Sequence, residues 1–545
     1  MFSLKRHWNV VLIAMMTAMA TWSVVRVSTA APDAVASAQE QTAIHTGDEL
    51  ERGEKWLDAI RHYEDASKMW PDSSHIKYGL RRSKYQFSID RRYHDDSFLN
   101  DMLSMSESQS LDLMGEVLNK INHTYFDQIS TTYFIAHGTE SLYLALDNNT
   151  FLKANGLDHL RKDELAQVRR VLYEDYWNKR VSGWQGGRQT IIEVARNVEA
   201  MLGLKSTPVI MEYLFGGCNA LDKYSTYLSP SKLSDLESNI DGEFVGIGIE
   251  MRTEIGKGVY LANVFPESPA EQGGLEPGDY VVEIDGTDCR ELSTERAASL
   301  LAGPSGSLVR LRWQRDNETE LRSGEFRRRK VNVKSVPLHT MLDRQSGIGY
   351  IRMTVFQRTS PEEFDQALRD LQRQGMQSLV WDLRGNPGGL LPAAVEVMDR
   401  LLDHGTIVST KGRSHDQNWT YSAYRIGTYD FPLVLLIDGN SASASEIAAG
   451  AIHDHKRGTI IGRKSYGKWS VQTIFPVSHG TGLRLTTAKF FSPNDRNFAG
   501  IGLEPDIVVP SDEDKPVRVR RETIAEDKDI QRAIEFLKQE QYTLK

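Results

Sequence analysis

The chain reads as a multi-domain α/β protein, with a mainly helical amino-terminal region, a β-rich module in the middle and an α/β core towards its carboxyl end. Three observations predict this. Apolar residues recur at helical spacing over about residues 56–71 and again over about 105–225. From about residue 243 the period changes to short β-type runs broken by Gly and Pro. Beyond about residue 345, strand runs alternate with amphipathic helices, the pattern of a sheet with helices packed on it.

At the amino terminus, Lys5, Arg6 and His7 precede an apolar run from Trp8 to Val25 that Arg26 closes, and "STAAPDAVASA" follows. A basic n-region, an apolar h-region and A-x-A-like sites predict export. The run is also long enough for a signal anchor across a ~30 Å hydrocarbon core. Residues 1–30 are therefore read as a cleaved signal peptide or a retained anchor, and that choice stays open. Either way the bulk of the chain is expected outside the cytoplasm, in the periplasm or another extracytoplasmic space, with the membrane engaged only through such an anchor.

Residues 31–45 are Ala/Ser/Gln-rich without periodicity and read as a linker. In 46–104, "ERGEKWLDAIRHYEDASKMWPDS" spaces Trp56, Ile60 and Tyr63 at helical intervals, and Pro71 ends the pattern. The spacing resembles one helical hairpin of a tetratricopeptide repeat, a segment that would suit an adaptor. No second copy follows about 34 residues on, and such units need neighbours to bury their faces. The preferred reading is a single amphipathic helix packed on the body. Residues 105–240 are helical, as in "LDLMGEVLNKI" and "QTIIEVARNVEAML".

Residues 241–330 hold "FVGIGIEM", "GVYLANV" and "YVVEIDG", with Asp285-Gly286 as a hairpin signal and "SLVRLRWQR" alternating as a half-buried strand. Residues 331–512 contain the strands "GIGYIRMTVF", "SLVWDLRG" and "FPLVLLID", each leading towards a helix, and 513–545 reads as a carboxyl-terminal helical segment. A net charge of −9 argues against nucleic acid as a partner, because phosphate binding needs clustered Lys and Arg. The basic run Arg327-Arg328-Arg329-Lys330 reads as a solvated face or a domain junction. Cys218 and Cys289 are the only cysteines, too few for a disulfide framework, and whether they pair is left open.

The candidate chemistry lies in "DGNSASASEIAAGAIHDH", where a buried strand turns into a helix and Ser441, Ser443 and Ser445 alternate. One serine suffices as a helix cap worth ~1 kcal/mol, which leaves two without a role. A nucleophilic serine needs a base. His453 and His455 lie too far along the helix for contact, and as a His-x-His pair they point to opposite faces, against a metal site. Lys468, in "RKSYGKWSVQ", can fold back beside the strand–helix turn. A rival pairing, Ser465-x-x-Lys468, fits the S-x-x-K pattern, but that motif opens a helix and this stretch reads as a strand.

"NSASASEIAAGAIHDHKRGTIIGRKSYGKWSVQ" resembles the signature of the carboxyl-terminal processing peptidases, or tail-specific proteases. "LVWDLRGNPGG", "LDKYSTYLSP" and "GLEPDIVVPS" resemble further motifs of that family, in the same order. The resemblance implies a crotonase/ClpP-like α/β catalytic core and a Ser/Lys dyad. Ser443 would be the nucleophile, Lys468 the base and Gln472 its support, with the amides of Gly389 and Ala444 as oxyanion hole. It implies neither metal nor organic cofactor.

"FVGIGIEM" through "SPAEQGGLEPGD" resembles the PDZ module inserted in this family, which would hold a substrate's terminal carboxylate on the amides of Gly246, Ile247 and Gly248. The expected activity is an exported serine endopeptidase that cuts protein substrates near unstructured carboxyl-terminal tails, the PDZ domain binding the tail or gating the site. One departure stands out. The family has glycine after the lysine and this chain has Trp469, which would either strain the backbone or help, with Tyr466 and Val471, to desolvate Lys468. The alternative reading is a catalytically impaired PDZ scaffold that binds protein carboxyl termini.

Overall fold

The structure, a computed structural model, describes residues 38–292, 294–315, 318, 320–510 and 524–543. The export segment expected over 1–30 lies outside these. Among the described residues no helix is long and apolar enough to cross a membrane. The chain divides into two compact units, one running to Asp90 and one from Arg91 onwards.

In the first unit α1 (Ala38–Arg52) and α2 (Trp56–Met69) form an antiparallel hairpin, followed by α3 (Ser74–Arg92), whose last two residues belong to the second unit. The hairpin closes on Tyr63, which packs with Ala59, Ala66 and Ile76. Gly47 of α1 and Gly79 of α3 come too close to its ring to carry a side chain. Two expectations are corrected here. Residues 38–45 are helix rather than linker, because Ala and Gln are good helix formers and Ala43 and Ile44 pack against this cluster. Nor is the Trp56–Met69 segment a lone helix, since its apolar face is covered by α1.

The second unit opens with helices α4 (Glu107–Thr124), α5 (Thr131–Ala145), α6 (Asn149–Ala154), α7 (Lys162–Val171), α8 (Gly183–Leu202) and α9 (Ser206–Cys218). Strand β1 (Thr226–Leu228) and α10 (Pro230–Asp241) complete this part. Helix α9 is apolar almost all round and sits at its centre, which is where such a helix must lie. Its one carboxylate, Glu212, is neutralised by Arg92 at 2.7 Å and bonded by Ser141.

A two-stranded ribbon, β2 (Glu243–Gly246) with β9 (Arg329–Asn332), brackets the β-rich module. Inside it stand β3 (Ile249–Glu254), β4 (Gly258–Val264), α11 (Pro269–Gln272), β5 (Tyr280–Ile284), β6 (Thr287–Asp288), α12 (Thr294–Leu301), β7 (Leu308–Gln314) and β8 (Leu321–Arg327). The sheet order β3-β4-β5-β7-β8 leaves β3 at an edge. Asp285 and Gly286 both have positive φ, as the hairpin signal requires. Of the basic run, Arg328 is neither solvated nor at a domain junction: it is buried within the β-rich module and donates to the carbonyls of Leu300 and Leu301 at the end of α12.

The core is a six-stranded sheet in the order β10 (Leu338–Asp343), β11 (Ile348–Arg352), β12 (Ser378–Asp382), β15 (Leu433–Ile437), β16 (Thr459–Gly462), β19 (Ile507–Val508). All pairs are parallel except β10 with β11. Parallel strands are buried on both faces, and the alternation is visible in the side chains. Leu379, Trp381, Leu435 and Ile437 meet α13 (Ser360–Arg373), α14 (Leu391–Asp399) and α15 (Ala444–His455). Val380, Val434, Leu436 and Ile461 meet α16 (Lys528–Thr543) on the other face. A second, antiparallel sheet joins β1, β18 (Thr481–Phe491), β13 (Thr406–Gly412) and β14 (Trp419–Ser422), with β17 (Ser470–Val477) paired to β18. Both cysteines are free and buried, which pushes the Cys218 thiol up to about 12 and the Cys289 thiol to about 11.

Candidate active site

Strands β12, β15 and β16 are neighbours, and their carboxyl ends bring together three loops, the position where open parallel sheets place their sites. The loop after β15 holds the three serines, and they do different things. Ser441 is fully buried and donates to the Leu383 carbonyl at 2.8 Å while accepting from the Asp438 amide. Ser445, also fully buried, donates to the Asn386 carbonyl at 3.0 Å. Ser443 is half-buried and takes the capping-box position of α15, where the Glu446 amide bonds its backbone carbonyl at 2.8 Å. Its hydroxyl donates no hydrogen bond among the described residues. Two hydroxyls are spent in fastening the loop to the turn after β12, and the middle one is left over.

Ser443 stands at φ 55°, ψ −112°, a conformation that costs a non-glycine residue ~1–3 kcal/mol. The G-x-S-x-G sequence is absent, yet the chain makes the same kind of strained strand-to-helix turn. Immediately beside it runs the turn Asn386–Gly389. A Cβ on Gly388 would lie 2.8 Å from both the Ser443 Cβ and the Ala444 nitrogen, and one on Gly389 would lie 2.0 Å from the Phe356 carbonyl oxygen. Only glycines allow this approach, and both also have positive φ. Asn386 locks the turn by donating to the Met353 carbonyl and accepting from the Gly388 amide. Among the described residues, the amides of Gly389 and Ala444 make no hydrogen bond. The Ala444 amide is one of the orphan donors at the positive end of α15.

The third loop carries Lys468, and a residue that the sequence reading did not single out ties it to Ser443. The Glu446 carboxylate has no exposed surface and accepts five hydrogen bonds. Its Oε2 takes the amides of Ser443 at 2.9 Å and Lys468 at 2.8 Å. Its Oε1 takes the Ser465 hydroxyl at 2.5 Å, the Gly467 amide at 2.7 Å and the Trp469 indole N–H at 3.1 Å. The two candidate residues thus share one oxygen through their backbones. Their side chains make no hydrogen bond to one another among those described.

The Lys468 amine lies 5.0 Å from the centre of the Tyr224 ring, in the loop between α9 and β1. Burial lowers its pKa, and the guanidinium of Arg484 and the ammonium of Lys223 push the same way, against Asp222 and Glu446. Arg484 donates to the Tyr224 carbonyl, and Asp222 receives the amides of Tyr224 and Ser225. The expected walls differ. Tyr466 is about half exposed and meets Lys223, Val471 packs at the edge of the main core, and Trp469 stacks on Phe490 at 4.6 Å inside that core. Trp469 is not strained either, because the positive φ of this loop falls at Gly467.

Gln472 makes no hydrogen bond to Lys468 among those described. Lys468 lies before strand β17, which begins only at Ser470, so the shared-face argument does not reach it. Its amide donates to the Ser470 carbonyl and hydroxyl and to Thr486. The Ser465-x-x-Lys468 pairing is also removed, because the Ser465 hydroxyl is committed to Glu446 and to the Leu503 amide. His455 bonds the Thr406 carbonyl and His453 lies against Asp454, and no group of metal-ligating side chains occurs among the described residues. In the β-rich module, Gly246 is paired in β2, while the carbonyls of Ile247 and Gly248 accept from Ala270 and Phe265.

Comparison with known proteins gives the setting of this geometry. Residues 347–509 match peptidase family S41, and residues 261–315 match a PDZ domain. A carboxy-terminal-processing protease of Bartonella bacilliformis is 37% identical over 296 residues, covering 53% of this chain and 67% of that protein. A carboxyl-terminal-processing protease of Picosynechococcus is 35% identical over 325 residues, covering 59% and 77%. Among solved structures, the photosystem II D1 C-terminal processing protease aligns over 73% of this chain and 92% of its own, at 26% identity and a TM-score of 0.40. The family match and the two related proteases make the chain a serine-type peptidase that carries a PDZ domain. It belongs to the carboxyl-terminal-processing protease family, peptidase family S41.

Proposed function

We propose that the protein is an exported endopeptidase that cuts substrates near unstructured carboxyl-terminal tails with a Ser443/Lys468 dyad. The observation that carries this reading is the pairing of a spare, strained hydroxyl with a lysine anchored to the same Glu446 oxygen. Lysine must be neutral to act as a base, and its surroundings favour that form. As the dyad closes on a bound peptide, Lys468 takes the proton of the Ser443 hydroxyl while its oxygen attacks the scissile carbonyl. The oxyanion forms against the amides of Gly389 and Ala444. Lys468 then gives the proton to the departing amine, and water releases the acyl group by the same route. Gln472, held on Ser470 and Thr486, would support the strand next to the lysine rather than bond it.

The edge strand β3 and the amides near Gly246, Ile247 and Gly248 suit addition of a substrate tail as a further strand. The basic and apolar segments before residue 30 support export. The scaffold alternative rested on Trp469, which fits the core without strain and so gives it no support. Ser443→Ala and Lys468→Ala are expected to abolish cleavage of a labelled tail peptide while thermal unfolding stays within a few degrees of the parent. Undiminished turnover by either variant would overturn the dyad.

A further inference from the structure

We infer that Asp527 and Asp529, at the start of the carboxyl-terminal helix, are positioning residues for the oxyanion turn, acting through the Arg384 guanidinium. The inference rests on the assignment of Gly389 and Ala444 as oxyanion donors and extends it to a segment more than a hundred residues downstream.

Arg384 lies between β12 and Asn386, and only 1% of it is exposed. One side of its fork is held by Asp382, with Nε on Oδ1 at 2.9 Å and Nη2 on Oδ2 at 2.7 Å. The other side is held from α16. Nη1 donates to both oxygens of Asp527, at 2.9 and 3.0 Å, and to Asp529 at 2.6 Å. Arg463, at the end of β16, donates to both oxygens of Asp529, and Arg352 pairs with Asp382 at 3.0 Å. Three guanidiniums therefore face three carboxylates beneath the three loops of the site. Against burial, Arg384 and Arg352 hold the Asp382 carboxyl well below the usual carboxylate range.

Two details point to positioning rather than packing. Apolar burial of α16 is supplied separately by Ile530, Ala533 and Leu537, so the helix does not need these aspartates to dock. Asp527 also accepts the amides of Asp529 and Ile530 as the cap of α16, a role that asparagine fills about as well. What asparagine cannot replace is the charge facing a buried guanidinium. Without it Arg384 keeps its Asp382 contacts but loses the anchor that fixes its far nitrogen. The turn that follows it, through Gly388 and Gly389, then loses one of its restraints relative to Ala444 and rests on those from Asn386, Ser441 and Ser445 alone. A displacement of about 1 Å at a reacting group can cost about 100-fold in rate.

The test uses the full chain with Asp527→Asn, Asp529→Asn and the double change, beside Leu537→Ala as a variant that weakens the docking of α16 without touching Arg384. The expected result is a kcat about 10- to 100-fold lower for the double variant with KM unchanged. Affinity for a peptide aldehyde that mimics the tetrahedral adduct should fall in proportion to kcat/KM. Leu537→Ala, compared at equal loss of Tm, should keep kcat within about threefold. The inference is overturned if the double variant keeps kcat and aldehyde affinity within twofold of the parent, or if Leu537→Ala loses as much kcat at matched stability. If the double variant does not fold, the single variants decide by the same criteria. Ser443→Ala separates the two levels of the argument. Activity there would sink the dyad itself, whereas an inactive Ser443→Ala beside fully active aspartate variants would sink only this inference.

Discussion

Glu446→Gln is the most informative single substitution, because the magnitude and the place of the damage can both be worked out. The amide keeps the volume but replaces one acceptor oxygen by a group with two donors. Oε1 faces three donors and Oε2 faces two, so the cheaper orientation turns the NH2 towards Oε2. The amides of Ser443 and Lys468 are then the ones left facing a donor. Each hydrogen bond to a charged group contributes ~1.5–3 kcal/mol, so losing two costs about 3–6 kcal/mol. A domain in the upper part of the usual ~5–15 kcal/mol range survives this, but the bond that joins the Ser443 and Lys468 loops does not. Urea denaturation should therefore show a lower midpoint at unchanged slope, and kcat for a tail peptide should fall by at least about 100-fold. Ser465, Gly467 and Trp469 should keep their places, visible as native near-ultraviolet circular dichroism. A variant within about 1 kcal/mol of parent stability and within threefold of parent kcat would show that Glu446 does not couple the loops.

Two further outcomes follow from the same geometry. The pH–rate profile should rise as the Lys468 ammonium loses its proton, with a midpoint below the ordinary lysine value of 10.5. Lys223→Met removes one of the cations that favour the neutral amine, so the midpoint should move up, by less at high salt because Lys223 is exposed; a downward shift would contradict this electrostatic account. Trp469→Gly, which restores the residue usual in the family, should lower stability by about 3–5 kcal/mol because the buried indole is stacked on Phe490 and bonded to Glu446. A thermal midpoint equal to the parent's would show that the indole is dispensable.

What the sequence made legible was whatever local pattern encodes. Ser443 and Lys468 sit in one continuous stretch whose strand–helix–strand periodicity places them at neighbouring strand ends. The glycines of "RGNPGG" announce a turn that a side chain would obstruct, and Gly388 and Gly389 have that role. Contacts between distant segments were not legible. Tyr224 reaches the lysine from a loop more than two hundred residues upstream, and nothing in "LDKYSTYLSP" marks which tyrosine faces inwards. Glu446 was in plain view within the motif but was not singled out. Its position three residues after Ser443 is a capping-box spacing that would have flagged it, since its carboxylate takes the Ser443 amide. The partners of Gln472 and Trp469 were not legible either, because Lys468 stands outside the strand that carries Gln472, and the neighbours of Trp469, Phe490 and Phe498, come from β18 and the loop beyond.

The arrangement also bears on why the loop carries three serines rather than one. A turn with positive φ at a non-glycine residue opens unless something over-determines it. Here Ser441 fastens the segment before Ser443 to the end of β12, and Ser445 fastens the segment after it to Asn386. Glu446 adds a third restraint on the Ser443 amide itself. Replacing Ser441 or Ser445 by alanine would thus release the strain without touching the hydroxyl between them, whereas a plain capping serine would need neither neighbour. A surface that only bound tails would gain nothing from keeping, among the described residues, a hydroxyl without an acceptor, a backbone strained and two amides unpartnered at one point. Those costs fit the proposed reception of a carbonyl group there, and the buried carboxylates that hold the surrounding loops would be the structural counterpart of that demand.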